Sequence, residues 1–377
     1  MPILDRYLLR QFVQIFSICF LSLMGLYVVI DAFGHLDKFS EHAKQHGSLL
    51  QILGEYYGYR MIGFFDRTSG MLAMIAAMFT VTWLQRHQEM TAMMAAGISK
   101  FRIVRPLIIA AVVVSLMGVA AREKVIPQIR EQLARDTKDL DGALGHDLEA
   151  RYDSRSGILI SGEKAVVAEQ RIVKPTIVLP ATLALYGKQL VAADAYHRAA
   201  SAEHPAGYLL EGIKAPVGLH RRESLRVDDR VVIATPHDTQ WLNDNQAFVV
   251  SDIPFQLLSS GSSWRSFAST GELINQLNSP STDLGADVRV AVHSRLVQPL
   301  ADATLLMLGL PLMFSRSSRN VFLSIGICLL VVVAFTVVTL ACHSLGGLGL
   351  LAPTLAAWLP LMLFAPLAVA MSHTFRT

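Results

Sequence analysis

The chain has 377 residues, of which 52% are hydrophobic and 17% are charged, so it is more apolar than an ordinary soluble domain. Its net charge of +3 is too small and too evenly spread to indicate a nucleic-acid partner. Cys19, Cys328 and Cys342 lie inside apolar runs, where a thiol packs as a small hydrophobic group and no disulfide framework is available. Composition therefore predicts a membrane protein.

Six apolar runs approach the roughly 20 residues that a helix needs to cross a hydrocarbon core of about 30 Å. We place these spans at about 12–33, 62–83, 103–121, 296–314, 321–342 and 352–371. The first span follows two arginines, as a signal peptide would. Its apolar part is nevertheless longer than a signal-peptide core, and no A-x-A cleavage site closes it. We therefore expect it to remain as an anchor.

The distribution of lysine and arginine predicts the orientation of the spans. One set of loop ends is basic, with Arg6, Arg10, Arg86, Lys100, Arg102, Arg105, Arg316, Arg319 and Arg376. The opposite ends carry Lys38, Lys44 and Arg60 after the first span and no lysine or arginine in 344–351. Both termini are therefore expected in the cytoplasm. The segment between the second and third spans would share that side, and the long segment after the third span would lie outside.

That long segment contains short β-like runs separated by turn residues, at 157–161, 165–168, 176–179, 207–210, 231–234 and 247–250. A hairpin turning at Gly187-Lys188 is also expected. Regularly spaced short strands are typical of an antiparallel sandwich or jelly roll. The predicted fold is an α-helical membrane protein with six transmembrane helices and an inserted all-β domain. The expected boundaries are 1–121 for the first three spans, 122–295 for the β domain with helical connectors, and 296–377 for the last three spans.

The sequence gives little support for an enzyme. It contains no G-x-x-x-x-G-K-[ST] phosphate loop, so we do not expect the chain to hydrolyse ATP by itself. It has no H-E-x-x-H or C-x-x-C motif, its 12 histidines lack ligand spacing, and no G-x-S-x-G elbow occurs. No metal, cofactor or catalytic residue is predicted.

The segment between the second and third spans is too polar to cross a bilayer, yet it has a helical pattern. Its apolar side chains recur on one face, at Met90, Met93, Met94 and Ile98. Glu89 would complement the dipole at the start of a helix, and Gly97 suits its end. We predict a short helix at about 87–97 whose methionine face fits a groove on a soluble partner. An interfacial helix lying on lipid headgroups is the alternative.

Several basic residues would lie near the outer membrane surface, where they could meet lipid phosphates: Lys38, Lys44, Arg60, Arg67, Arg122 and Lys124. Headgroup solvation and snorkelling explain the same positions. Asp302 lies inside the fourth span, where a charge costs at least about 2.5–3.5 kcal/mol. It could pair with Gln298, face an aqueous cavity, or lie at the interface if the span begins later. Ser69, Ala73 and Ala77 form a stripe of small residues that favours close helix packing.

Four stretches carry a resemblance that covers nearly the whole chain: LDRYLLRQF at 4–12, QRHQEMTAMMAAGISKFRI at 85–103, AREKVIPQIREQLAR at 121–135 and SRLVQPLADATLLMLGLPLMFSRSSRN at 294–320. With the order of three spans, external domain and three spans, they resemble the lipopolysaccharide-export permeases of the LptF/LptG family. This resemblance implies that the helix at 87–97 is a coupling helix seated in a separate ATPase subunit. Glu89 would be its acidic contact, with Met93 and Met94 on the docking face.

The resemblance implies a permease subunit of an ATP-driven exporter in the bacterial inner membrane. Its partners would be a cytoplasmic ABC ATPase dimer, a second homologous permease, a periplasmic jelly-roll bridge protein and lipopolysaccharide itself, whose acyl chains the external β domain would receive. The alternative is a membrane protein that an ATPase drives to regulate an envelope hydrolase without moving lipid. Only the exporter requires a lipid-sized cavity between the spans.

Overall fold

The computed structural model describes residues 3–46, 48–134, 146–167, 169–180, 187–201, 204–227, 230–259, 264–281, 284–314 and 321–372. The chain forms two compact units. The membrane unit comprises Met1–Ile129 and Gly285–Thr377, and the β unit comprises Arg130–Leu284. The expected β domain, 122–295, extends beyond the compact β unit at both ends, because the turns after the third span and the start of the fourth pack with the membrane helices.

The helices run in the order α1 (Ile3–Gly34), α2 (Leu36–His46), α3 (Leu49–Arg86), α4 (Glu89–Ala95), α5 (Lys100–Ala120), a π-helical turn (Ala121–Val125), α6 (Ile126–Gln128), α7 (Arg130–Ala134), α8 (Phe255–Ser259), α9 (Trp264–Phe267), α10 (Thr270–Leu277), α11 (Ala286–Phe314), α12 (Val321–Gly347) and α13 (Pro353–Ser372). Within the described residues, six of them are long and apolar enough to cross a membrane: α1, α3, α5 with its continuation to Gln128, α11, α12 and α13. The six predicted spans are confirmed.

Three spans begin well before their apolar runs, and α1 is one of them, with its start at Ile3 instead of about 12. Helix α3 starts at Leu49 and α11 at Ala286, whereas hydropathy placed their starts near 62 and 296. The early part of α3 is held by aromatic packing, since the ring of Phe39 lies 5.3 Å from that of Tyr56 and 6.1 Å from that of Tyr57. The hydroxyl of Tyr57 also donates a hydrogen bond to Asp31 at 2.8 Å. Polar aromatic contacts of this kind do not register in a hydropathy profile.

The core of the membrane unit is built from α1, α3, α5, α11, α12 and α13. Small residues on α3 allow the helices to approach closely, and Ser69, Ala73 and Ala77 are all buried, as the small-residue stripe predicted. Gly70 belongs to the same surface, because a Cβ atom at this position would overlap the carboxylate of Asp302 on α11. This surface of α3 therefore meets α11 at Gly70 and α5 at Ser69, whose hydroxyl would lie 2.7 Å from a Cβ atom on Gly118.

The β unit contains twelve described strands: β1 (His146–Asp147), β2 (Arg151–Asp153), β3 (Ile158–Ser161), β4 (Lys164–Val166), β5 (Arg171–Val173), β6 (Thr176–Val178), β7 (Gln189–Val191), β8 (Asp194–Arg198), β9 (Gly207–Glu211), β10 (Leu225–Val227), β11 (Arg230–Ala234) and β12 (Gln246–Val250). They form an eight-stranded sheet in the order β1-β4-β5-β8-β9-β12-β11-β10 and a four-stranded sheet in the order β2-β3-β6-β7. All described pairings between these strands are antiparallel. The predicted all-β insertion of jelly-roll type is confirmed.

Local pairings show how the sequence forms these sheets. Strands β9 and β12 pair in register, with Leu210 opposite Ala247, and successive residues on both strands are buried. The buried hydroxyl of Tyr208 is satisfied by the carbonyl of Ile253 at 2.8 Å. Part of the hairpin expected around Gly187 lies outside the described residues, and β7, which follows it, pairs with β6.

Candidate functional site

The segment between the second and third spans forms a short helix with defined ends. Helix α3 stops at Arg86, and Gln88 adopts a left-handed conformation with φ of +58° before α4 begins at Glu89. At the other end Gly97 has φ of +80°, which glycine adopts without a Cβ clash. The helix thus covers Glu89–Ala95 within the predicted 87–97.

Two hydrogen bonds close the end of α4. The N–H of Gly97 donates to the carbonyl of Met94 and the N–H of Ile98 to that of Met93, each at 3.0 Å. This is the Schellman arrangement, which satisfies the last carbonyls of a helix. A seven-residue helix is too short to be stable alone in water. Its caps and its packing against the spans therefore hold it in place.

The four apolar side chains expected on a single docking face of α4 are divided between two directions. Met90 is 9% exposed and belongs to the core of the membrane unit, and Met93 and Ile98 pack against that core. Met94 is 37% exposed. The expected face places Met93 and Met94 together, so this detail differs from the structure. Because α4 is joined directly to two spans, its inner side lies against apolar residues of the membrane unit. Met90 and Met93 cover those residues.

The exposed side of α4 is formed by other residues. Thr91, Met94 and Ala95 are exposed and have helical spacing i, i+3, i+4. They form a small surface with one large flexible apolar side chain between short ones, which we call the outer face of α4. Met94 is its only long side chain, so it provides most of the apolar area that a partner could bury.

Glu89, the expected acidic contact, is engaged by the first span. Its carboxylate accepts hydrogen bonds from the hydroxyl of Tyr7 on α1, with oxygen–oxygen distances of 2.9 and 3.2 Å. A second link ties the end of α3 to α11, since the side-chain amide of Gln85 donates to the carbonyl of Met313 at 2.7 Å. The two ends of this region are thus connected to α1 and α11. Sequence spacing gave no indication of either bond.

A buried ionic cluster lies at the other end of α5. Arg122, in the π-helical turn, is 8% exposed, and its guanidinium meets the carboxylate of Asp66 on α3 with N–O distances of 2.7, 2.9 and 3.1 Å. It also donates to the side-chain oxygen of Gln298 on α11 at 2.5 Å. This position differs from the exposed, phosphate-facing one that we expected for Arg122. Single π-helical turns inside α-helices are rare, and they occur frequently at functional sites.

Asp302 lies beside this cluster, in the interior of α11. It accepts a hydrogen bond from the hydroxyl of Ser115 on α5 at 2.6 Å, whereas Gln298, one of its expected partners, bonds Arg122. A cavity of about 40 Å³ is lined by Gly70, Ser115 and Asp302, among others, and has room for a water molecule. Asp302 is half-buried where α3, α5 and α11 meet, well inside the helix that begins at Ala286.

The remaining basic candidates do not form one site. Lys44, Arg67 and Lys124 are exposed and Lys38 is half-buried. Arg60 is half-buried in the aromatic cluster, where it donates to the hydroxyl of Tyr27 at 3.2 Å and its guanidinium carbon lies 4.4 Å from the centre of the Tyr56 ring. Among the described residues, no group of three or more His, Cys, Asp or Glu side chains could hold a metal ion.

These features define a class of protein: a multi-pass membrane protein with an antiparallel β domain between its third and fourth spans and a capped helix between its second and third. The family described as lipopolysaccharide export system permease LptF/LptG matches residues 6–144 and 229–374. The match covers most of the chain, including all six spans and α4. The chain therefore belongs to this family of inner-membrane permeases for lipopolysaccharide export. None of the curated proteins compared with it matches.

Proposed function

We propose that this permease is the transmembrane subunit of an ATP-driven exporter that extracts lipopolysaccharide from the inner membrane and passes it to a periplasmic jelly-roll bridge. A cytoplasmic ABC ATPase dimer and a second homologous permease complete the assembly. Both chain termini lie in the cytoplasm in this proposal, which is supported by the lysine and arginine distribution. The observation that carries the proposal is the outer face of α4, a capped helix whose exposed side has no other evident use in the membrane unit.

The contacts of α4 support its role as the coupling element. Its inner side is part of the core through Met90 and Met93, so a push on its outer face moves core residues directly. The bond between Tyr7 and Glu89 extends this connection to α1, and the bond between Gln85 and Met313 extends it to α11. Close-packed protein interiors transmit strain, so small displacements at α4 would reach the residues packed against it. Closure of the ATPase dimer would thereby reach at least two spans.

For lipid phosphates, the exposed cations Lys44, Arg67 and Lys124 and the half-buried Lys38 are the better candidates. Arg60 has a weaker claim, because its guanidinium already contacts two tyrosines. Arg122 is held by a carboxylate and an amide, so we assign it, with Asp302, to the joining of α3, α5 and α11.

Replacement of Met94 by Asp tests the docking role. The change adds a charge to the outer face without touching the inner methionines, so the chain should insert and fold normally. A central interface residue typically contributes about 2 kcal/mol, so affinity for the ATPase should fall about thirtyfold. Co-purification should be lost in Met94→Asp, and also in Glu89→Lys, because the latter reverses the charge of the proposed acidic contact.

Met94→Leu is the matched control and should bind the ATPase nearly as well as the parent chain. Co-purification from membranes, with the amount of inserted permease measured in parallel, gives the readout. If Met94→Asp and Glu89→Lys both retained full ATPase binding, the coupling proposal would fail. The alternative, in which α4 is an interfacial helix lying on lipid headgroups, would then be preferred.

The family match favours transport over the regulation of an envelope hydrolase, and photocrosslinking separates the two. A photoreactive residue in place of Leu21 on α1 or Leu340 on α12, both exposed, should form adducts with lipid A during ATP turnover. An active ATPase with no adduct at any position on the first, fifth or sixth span would contradict transport by this chain.

A further inference from the structure

A second feature of the membrane unit is an apolar groove of about 930 Å³ between α1 and α5. Its walls are mainly aromatic and aliphatic and include Phe12, Phe16, Phe65, Ile109, Val113 and Met117. Its end near the start of α5 is lined by Arg102 and Arg105. The groove is therefore apolar along its length and basic at one end.

The length of the groove corresponds to one leaflet of a bilayer. From Arg105 to Met117 the helix rises about 18 Å at about 1.5 Å per residue. Half of a hydrocarbon core of about 30 Å is about 15 Å. A lipid whose phosphate lies at Arg105 would therefore extend its acyl chain along the groove almost to the middle of the membrane.

The basic end carries an excess of positive charge. Arg102 and Arg105 are exposed, and within the described part of the chain neither guanidinium forms an ion pair or a hydrogen bond. One carboxylate, that of Asp5, also lines the groove.

A second groove of about 860 Å³ lies on α1, and it shares Leu9 and Val13 with the first groove. It is lined by two further exposed arginines, Arg6 and Arg10. Four guanidinium groups thus surround two adjoining apolar surfaces, which is an arrangement suited to a ligand with a phosphate and two acyl chains.

We propose that this groove binds an anionic phospholipid of the leaflet at the start of α5, with the phosphate between Arg102 and Arg105 and an acyl chain along the apolar wall. This lipid is distinct from the exported one. The cations suited to the phosphates of the exported lipid include Lys124, which follows the opposite end of α5. A cytoplasmic protein subunit is a poorer occupant, because the apolar wall continues through about a leaflet's depth.

The test uses the full chain in nanodiscs of phosphatidylcholine and phosphatidylglycerol at a ratio of four to one. A benzoylphenylalanine in place of Val113 is irradiated, and the lipid adducts are identified by mass spectrometry. One arginine near an anionic headgroup is worth about 1 kcal/mol, or about fivefold. Phosphatidylglycerol should therefore be enriched at least about fivefold over the bulk ratio. The same probe at Leu330 on α12, which is exposed and outside the groove, should report the bulk ratio.

The double change R102Q/R105Q should return the adducts at Val113 to the bulk ratio. R86Q removes an exposed arginine that does not line the groove and should leave the enrichment unchanged. Native mass spectrometry of the chain without the probe should show the same loss of retained phosphatidylglycerol in R102Q/R105Q. Adducts at the bulk ratio in the parent chain, or enrichment that persists in R102Q/R105Q, would overturn the proposal. Adducts only to the ATPase or to the second permease in the assembled transporter would also overturn it.

Discussion

Removal of the charge at Asp66 should destabilise the membrane unit strongly, because it leaves the guanidinium of Arg122 buried without its counter-ion. Both side chains are only 10% exposed, and the shortest of their three N–O contacts is 2.7 Å. Breaking a buried pair by removal of one partner typically costs about 3–5 kcal/mol. We expect Asp66→Leu and Arg122→Met each to lower the free energy of unfolding by about this amount.

The double variant Asp66→Leu/Arg122→Met should be more stable than either single variant. Replacement of a buried ion pair by apolar residues of similar size is often nearly neutral. The side-chain oxygen of Gln298 would then lose its hydrogen-bond donor, the guanidinium of Arg122 at 2.5 Å. Leaving a buried acceptor unsatisfied costs about 1–3 kcal/mol. The net loss should therefore be about 1–3 kcal/mol, and the coupling energy between the two positions should be at least about 3 kcal/mol.

The measurement is a double-mutant cycle on the full chain, with reversible unfolding followed in mixed micelles. Arg67→Met is the control, because Arg67 is the next residue on α3 and is exposed; it should change stability by less than about 0.5 kcal/mol. Strict additivity of Asp66→Leu and Arg122→Met, or a single variant as stable as the parent chain, would refute the assignment of a buried ion pair.

Two further predictions concern helix contacts. Gly70→Ala should lower the free energy of unfolding by about 1–3 kcal/mol, because its methyl group would overlap the Asp302 carboxylate. Gly58→Ala is the control on the same helix; its methyl group meets open space and should not destabilise the chain. Equal effects of the two changes in a melting experiment would contradict the contact at Gly70. Tyr7→Phe should speed amide hydrogen exchange in α4 up to about tenfold, because it removes the hydrogen bond to Glu89. Unchanged exchange would show that the bond does not restrain α4.

The sequence was sufficient to predict the six spans, the β domain and the position of α4, because each leaves a local pattern: continuous apolar runs for the spans, short β-like runs between turn residues for the β domain and helical spacing for α4. The direction in which each methionine of α4 points could not be obtained in this way. Met90, Met93 and Met94 satisfy one helical pattern, and only the surrounding spans determine that the first two pack inward. The same limit applies to Glu89, whose partner Tyr7 is separated from it by 82 positions.

The ionic cluster was also beyond local reasoning. Arg122 was expected among exposed cations because it follows an apolar run, and Asp66 was not singled out because nothing nearby in the sequence is its partner. The π-helical turn, which positions the guanidinium, has no recognisable sequence pattern. Asp302 was recognised as costly inside a span, but the identity of its partner, Ser115, depended on how α5 packs against α11.

The π turn at Ala121–Val125 also sets the angular position of the residues that follow it on the same span. An α-helix advances about 100° per residue, so deletion of one residue here would restore ordinary helical geometry only by rotating Ile126–Gln128 through more than a quarter of a circle about the span. Either the guanidinium of Arg122 would then leave its carboxylate, or the buried side chain of Ile126 would turn away from its neighbours in the membrane unit. One surplus residue thus ties the two contacts together, and a one-residue deletion should disturb one of them whichever way the span readjusts.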